Sequence, residues 1–345
     1  MIQRHILRAL LVTFVLSVSS GHCDEGKKDK AETLAYHEPL GIALESYPYP
    51  YPVKYFDLTL DDQPVRMAYM DIEPVGNPRQ ETVVLLHGKN FFGAYFGNVI
   101  SWLSKAGVRV IVPDQIGFGK SSHPDIHYSF DRMSETTMRL LDSLKVKNVT
   151  LLGHSMGGML AVRLARLYPD RITRLILENP IGLEDYRLKV PPVSLEKMYE
   201  GEMKQDAQKV RTFYKNYVVE WVPETYEPYV AVRSRIMLSG EFPRWAKCSA
   251  LTYRMIYEQP TVYDLPFIKA STLLVIGQKD TTTIGRNLVT PEVRATLGNY
   301  PRLGKEAARS IPGATLVEIP NAGHIPHLET PDAFFQALSD FLRVQ

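Results

Sequence analysis

The sequence predicts an α/β fold: a mostly parallel central sheet flanked by helices, with a helical cap inserted between two core strands. Three observations carry that expectation. Apolar runs such as TVVLLH (82–87), VRVIVPD (108–114) and TLLVIG (272–277) do not alternate with polar residues, as expected of strands buried on both faces. Helical patterns lie between the runs, and strand–helix–strand repetition calls for parallel pairing through right-handed crossovers. That rhythm stops at Ile181 and resumes after Leu265, so roughly 85 residues are inserted into the core.

Composition bounds the rest. The 345 residues are 45% hydrophobic and 23% charged, ordinary for a folded protein with enough apolar material for a sizeable core. Lys plus Arg number 40 and Asp plus Glu 38, and that balance argues against a dedicated nucleic-acid binder. The two cysteines, Cys23 and Cys248, supply no disulfide framework.

The elements follow in chain order. Arg4 and Arg8, the apolar run ALLVTFVLSV (9–18) and the small residues Ser19, Ser20 and Gly21 read as a secretory signal peptide over 1–23. The run is shorter than the roughly 20 residues a bilayer span needs. A periplasmic or secreted protein with no stable membrane insertion is therefore expected; a buried N-terminal helix is the plain alternative. Cys23 invites a lipid anchor, but His22 stands where such a site takes a small residue. Residues 24–53 read as a leader and strap. DEGKKDK (24–30) is a solvated charge run, and YPYPYP (47–52) cannot be helical because each proline holds its predecessor extended.

The first part of the core spans 54–180. KYFDLTL and VRMAYMDI read as strands joined by a turn at Asp61-Asp62. Strands follow at 82–87, 108–114, 148–153 and 172–179, with helices at 99–105, 130–144 and 156–167. The cap, 181–265, offers helices at 194–220, 227–238 and 246–258. It holds 13 aromatics, Phe213, Tyr217, Trp221, Trp245 and Tyr253 among them. Most would pack the cap; some would line an apolar pocket. The second part of the core, 266–345, adds strands at 272–277 and 314–320 and a helix at 331–342. The long stretch 281–305 would add a wall beside the site.

Gly153-His154-Ser155-Met156-Gly157 is a G-x-S-x-G motif between a predicted strand and helix, the context that motif requires. Its glycines permit a sharp turn that pushes Ser155 out at the sheet edge, with the positive end of the next helix aimed at the reacting centre. A serine hydroxyl needs a base, and the base an orienting acid. Asp280 follows the strand at 272–277, and His324 follows the strand at 314–320 beside Gly323. Ser155, Asp280 and His324 thus fall after strands in the order such turns use. His327 is the rival base and Glu178 the rival acid. The loop His87-Gly88-Lys89-Asn90 would supply an oxyanion donor, the Lys89 main-chain N–H, to join that of Met156. The Lys89 side chain either points away or meets an acidic group on the substrate.

No metal or cofactor site is expected. His123 and His127 lack zinc spacing, and no phosphate-cradling or dinucleotide loop occurs. Asn148-Val149-Thr150 fits a glycosylation pattern but begins a buried strand.

From Lys54 to Gln345 the chain resembles the α/β-hydrolase superfamily in its capped, esterase-like serine hydrolase branch. LLHGKN, VPDQIGFGKSS, LLGHSMGG, LLVIGQKD and NAGHIPHLETP carry the likeness, in that branch's order. The resemblance implies the fold, the Ser-His-Asp roles and two backbone oxyanion donors. It makes Asp114, Gly117 and Gly119 a structural turn. Related epoxide hydrolases and dehalogenases carry aspartate at the nucleophile, where this chain has Ser155. Related carbon–carbon bond hydrolases commonly place Asn before the serine, where this chain has His154.

The leading expectation is an exported serine hydrolase that cleaves a small carboxylic ester through an acyl-enzyme. The alternatives are a lactonase, an amidase or a carbon–carbon bond hydrolase on the same triad, or a non-catalytic binding protein of the same fold.

Overall fold

The computed structural model describes residues 36–344, so the expected signal peptide and the charge run at 24–30 lie outside the described residues. Eight strands form one sheet: β1 (Val53–Leu60), β2 (Gln63–Ile72), β3 (Thr82–Leu86), β4 (Arg109–Pro113), β5 (Val149–His154), β6 (Ile172–Glu178), β7 (Ser271–Gly277) and β8 (Thr315–Ile319). Their spatial order is β1-β2-β4-β3-β5-β6-β7-β8. β1, β2 and β4 pair antiparallel, and every pair from β4 to β8 is parallel. The β1–β2 hairpin turns on Asp61 and Asp62 at φ 46° and 58°. Two successive positive φ values are what a tight two-residue hairpin needs, and Asp tolerates them better than most residues.

Eleven α-helices occur among the described residues. In the core's first part are α1 (Gly97–Lys105), α2 (Phe130–Ser143) and α3 (Met156–Leu167). The cap, between β6 and β7, holds α4 (Leu195–Met203), α5 (Ala207–Lys215), α6 (Pro223–Ile236) and α7 (Phe242–Glu258). α8 (Pro291–Arg294) and α9 (Tyr300–Ser310) precede β8; α10 (Pro326–Glu329) and α11 (Pro331–Leu342) follow it.

Successive strand residues serve opposite faces of the sheet. Val84, Leu86, Ile111 and Leu151 meet α2, α3 and α9 on one side. Val83, Leu85, Val110 and Leu152 meet α1 and α11 on the other. Burial on both faces explains why the strands read as continuous apolar runs.

Two helical expectations need correction. The single helix expected over 194–220 is two, because the Asp206 side chain accepts the Lys209 N–H and starts α5 afresh. α9 was not anticipated; the Asn299 side chain caps it by accepting the Arg302 N–H, and Pro301 sits in its first turn, where a missing N–H costs nothing.

The strap joins cap to core. Leu40, Ile42 and Leu44 are buried against Phe92, Val232, Ile236 and Phe242. The Tyr49 hydroxyl donates to Asp114 Oδ2 at 2.6 Å, and Lys120 Nζ donates to the Leu44 carbonyl at 2.5 Å. Asp114 also accepts the Gly93 and Lys120 amides. All its visible bonds are structural, in keeping with its exclusion from the candidate catalytic set.

Candidate active site

Ser155 stands between β5 and α3 with φ 56° and ψ −120°, a conformation an L-residue adopts only when its surroundings impose it. A Cβ on Gly157 would collide with the Leu86 carbonyl of β3, so the motif's last glycine lets the turn press against the neighbouring strand. The result projects the serine hydroxyl at the carboxyl edge of the sheet, where open α/β sheets gather ligands.

The loop after β8 brings His324 to that hydroxyl. His324 Nε2 lies 2.9 Å from Ser155 Oγ, and its Nδ1 lies 2.8 Å from Asp280 Oδ2. Asp280 follows β7 in a tight turn. Its Oδ1 accepts the Thr282 N–H at 2.7 Å and its Oδ2 accepts Asn179 Nδ2 at 2.7 Å. Asn179 Oδ1 in turn accepts the Gly277 N–H at 2.8 Å. A carboxylate only accepts, so Nδ1 of His324 carries the proton of that bond and Nε2 presents a lone pair to the serine O–H. Ser155, Asp280 and His324 are all buried.

Glu178 and His327, the rival acid and base, meet each other. His327 Nδ1 lies 2.8 Å and 3.0 Å from the two Glu178 carboxylate oxygens, and the His327 N–H donates to Oε1 at 2.8 Å. His327 Nε2 is buried with no hydrogen-bond partner. Neither residue bonds to Ser155 through its side chain.

Three features escaped the sequence reading. One is Asn179, which orients Asp280. Its signal was an Asn closing a strand just before Pro180. Another is a relay through His154. The Gly88 N–H donates to the Tyr95 hydroxyl oxygen at 3.3 Å, and that hydroxyl donates to His154 Nδ1 at 2.8 Å. His154 Nε2 donates to the His324 carbonyl at 2.7 Å. Burial, helped by the nearby His324 and His327 rings, holds the His154 ring well below the usual histidine range and therefore neutral, as this pattern requires. The third is a contact with the cap. The His324 N–H donates to the Tyr217 carbonyl at 2.6 Å, and the two rings lie 4.6 Å apart.

The loop after β3 runs beside the serine: a Cβ on Gly88 would lie 3.1 Å from Ser155 Cβ. Lys89 follows directly. Met156 opens α3, whose first amides have no intrahelical acceptor. The Lys89 side chain turns into a cavity of about 840 Å³ that opens at Ser155. Phe213, Tyr217 and Tyr253 of the cap line it, as does Thr281–Leu288, the wall expected from the long stretch after Asp280. Trp245 lines a side cavity of about 50 Å³, while Trp221 packs on Tyr226.

Cys248 is buried and unpaired, its thiol pushed up to about 11 by burial, so it is an inert packing residue. No cluster of metal-ligating side chains and no helix long and apolar enough to cross a membrane occurs among the described residues.

A strained serine at a strand–helix turn, facing a histidine and an aspartate that follow later strands, defines a class of α/β proteins. The family model for the alpha/beta hydrolase family matches residues 83–337, and the chain belongs to that family. Among solved structures, a probable hydrolytic enzyme from Pseudomonas aeruginosa PAO1 is 44% identical, with a TM-score of 0.86 over 88% of this chain and 98% of that one. An enol-lactonase from Burkholderia xenovorans LB400 shares the fold at 22% identity, with a TM-score of 0.64 over 84% of this chain and all of that one. A haloalkane dehalogenase from Mycolicibacterium paratuberculosis is 35% identical over 147 residues, 42% of this chain and 48% of that protein. The matched stretch thus spans about half the length of that curated relative.

Proposed function

We propose that the protein is an exported serine hydrolase that cleaves a small carboxylic ester through an acyl-enzyme. The observation that carries this reading is the bridge formed by His324, 2.9 Å from Ser155 Oγ and 2.8 Å from Asp280 Oδ2. Ser155 Oγ attacks the ester carbonyl while His324 Nε2 takes its proton. Asp280 holds the ring and stabilises its charged form. The tetrahedral oxyanion is held by the main-chain N–H groups of Lys89 and Met156. His324 then protonates the leaving alcohol, and water attacks the acyl-enzyme by the reverse of the same steps. The proposed steps call for no metal or other cofactor.

The chemistry of the nucleophile separates this reading from the dehalogenase relatives. A carboxylate that displaces halide forms an ester, which water can cleave. A serine that did so would form an ether, which the same site could not hydrolyse. The signal-peptide pattern of the sequence over 1–23 supports export, and the cap supports closure over the acyl group.

A fluorophosphonate probe and a panel of short-chain esters test the proposal. Wild type should be labelled on Ser155 and turn esters over, and Ser155→Ala should lose both while keeping its Tm. Labelling elsewhere, or retention of more than a tenth of the turnover in Ser155→Ala, would overturn it. Mass spectrometry of the native protein, with a mature chain starting between Ser20 and Glu25, tests export.

A further inference from the structure

The cavity above Ser155 is strongly biased in charge. Lys89, Lys197, Arg233, Arg286 and Arg294 line it, against a single acid, Glu202. Two of the bases stand deep inside and share that acid. Lys89 Nζ donates to Ser249 Oγ at 2.8 Å, and Ser249 Oγ donates to Glu202 Oε1 at 2.8 Å. Arg233 Nη2 donates to Glu202 Oε2 at 2.8 Å, and Nη1 contacts Asn90 Oδ1 at 3.3 Å. Arg233 is 9% exposed, and its Nε is buried without a partner. A buried and a half-buried cation against one carboxylate leave one positive charge without a counter-ion in the cavity that opens at the candidate nucleophile. Burying such a charge is costly unless something pairs with it.

We infer, resting on the serine-hydrolase reading, that this cluster is an anion subsite and that the substrate is an ester bearing a carboxylate a few bonds from its scissile carbonyl. Lys89 fixes the spacing. It directly follows Gly88, where a Cβ would lie 3.1 Å from Ser155 Cβ, and its ammonium enters the cavity, so about one lysine side chain separates reacting carbon from anion. A half-ester of a short dicarboxylic acid, with two or three methylenes between its carbonyls, spans that gap. Its carboxylate would take Lys89 from Ser249 and complete the charge balance. Burial pushes Lys89 down to about 8, with Glu202 opposing and Arg233 assisting the shift. A bound carboxylate would hold it charged. The rim residues Lys197, Arg286 and Arg294 would draw such an anion in, since a charge-lined cleft raises the local concentration of its counter-ion.

The test is the ratio of kcat/KM for monoethyl succinate and monoethyl glutarate to that for uncharged ethyl 4-methylpentanoate. Wild type should favour the half-esters by about tenfold or more, the range of a charge-assisted contact, and Lys89→Met should collapse the ratio toward one. Glu202→Gln, which removes the competing carboxylate, should raise the ratio. For wild type alone, glutarate should inhibit competitively at concentrations where glutaramide does not. A wild-type ratio at or below one, or no discrimination between glutarate and glutaramide, overturns the subsite. If the fluorophosphonate still labels Ser155 and uncharged esters still turn over, the serine-hydrolase reading survives that failure. If neither happens, both fall.

Discussion

Two carboxylate–histidine pairs stand side by side at the carboxyl edge of the sheet. Asp280, just after β7, holds His324; Glu178, closing β6, holds His327. The histidines are three residues apart, both are buried, and both meet their carboxylate through Nδ1. They differ in what the far nitrogen meets. His324 Nε2 faces the serine hydroxyl, at the cavity. His327 Nε2 is buried with no hydrogen-bond partner, and its ring packs against Tyr95 and Phe96 at 5.0 Å and 5.2 Å. On the proposed function, the same chemical unit transfers a proton in one place and works as a clamp in the other. Residue type and local spacing do not distinguish them; the group across from Nε2 does.

The largest expected effect sets the two acids against each other. Asp280→Asn should lower kcat by about 10³- to 10⁴-fold, because the amide favours the wrong imidazole tautomer. Glu178→Gln should leave kcat within about threefold. It should instead cost about 1–3 kcal/mol of stability, because one polar group of the buried pair loses a good partner. Steady-state kinetics and thermal melts on both variants decide it. Comparable losses of kcat would break the division between a reactive pair and a clamp.

This division also marks how far the sequence could be read. Ser155 was legible because its motif is local, with the strand, turn and helix contiguous. Asp280 and His324 were legible because each ends a loop just after a strong strand. The Glu178–His327 pair was not, since it closes across 149 positions and either residue also suited the catalytic role. Asn179 carried no signal beyond its place before Pro180. Lys89 of the loop after β3 and Glu202, Arg233 and Ser249 of the cap come from four separate segments, and only packing brings them together. Periodicity found the helical character of 194–220 but not the cap at Asp206 that divides it. α9, which was not expected, holds two residues that are unfavourable in helix interiors, Pro301 and Gly304. The first stands where Pro is tolerated, and the second packs against Ile276 of β7.

A smaller effect is expected at the residue that links the two pairs. Tyr95 packs its ring on His327 and sends its hydroxyl, through His154, to the main chain of His324. Tyr95→Phe keeps the packing and removes the link between the loop after β3 and the loop that carries His324. A drop in kcat of up to about tenfold is expected, with KM little changed, since small displacements of reacting groups are costly. A variant that melts earlier but keeps full kcat would show that the relay only stabilises the fold, and His324 would then be positioned by Asp280 and Tyr217 alone.

The smallest effect concerns acid. His154 lies between the two pairs, its ring 4.8 Å from His324 and 5.9 Å from His327. It accepts the Tyr95 hydroxyl at Nδ1, which only a neutral ring can do. Burial lowers its proton affinity in the folded chain well below the ordinary histidine value of about 6.5. His87 and His123, also buried, shift in the same direction, His123 to about 4. Below pH 6.5 the unfolded chain therefore binds protons at these rings while the folded chain does not. Stability is fully present above that pH and declines beneath it, by up to about 1.4 kcal/mol per pH unit for each ring that stays neutral. The Tm should accordingly fall between pH 7.5 and pH 5. His123→Leu should flatten that slope, because it removes one titrating ring whose two nitrogens have no hydrogen-bond partner. The substitution should leave kcat unaffected, as His123 lies outside both pairs. A Tm that does not move between the two pH values would mean that these rings take up protons in the fold, and the His154 relay could not then have the donor pattern that ties the His324 loop to the loop after β3.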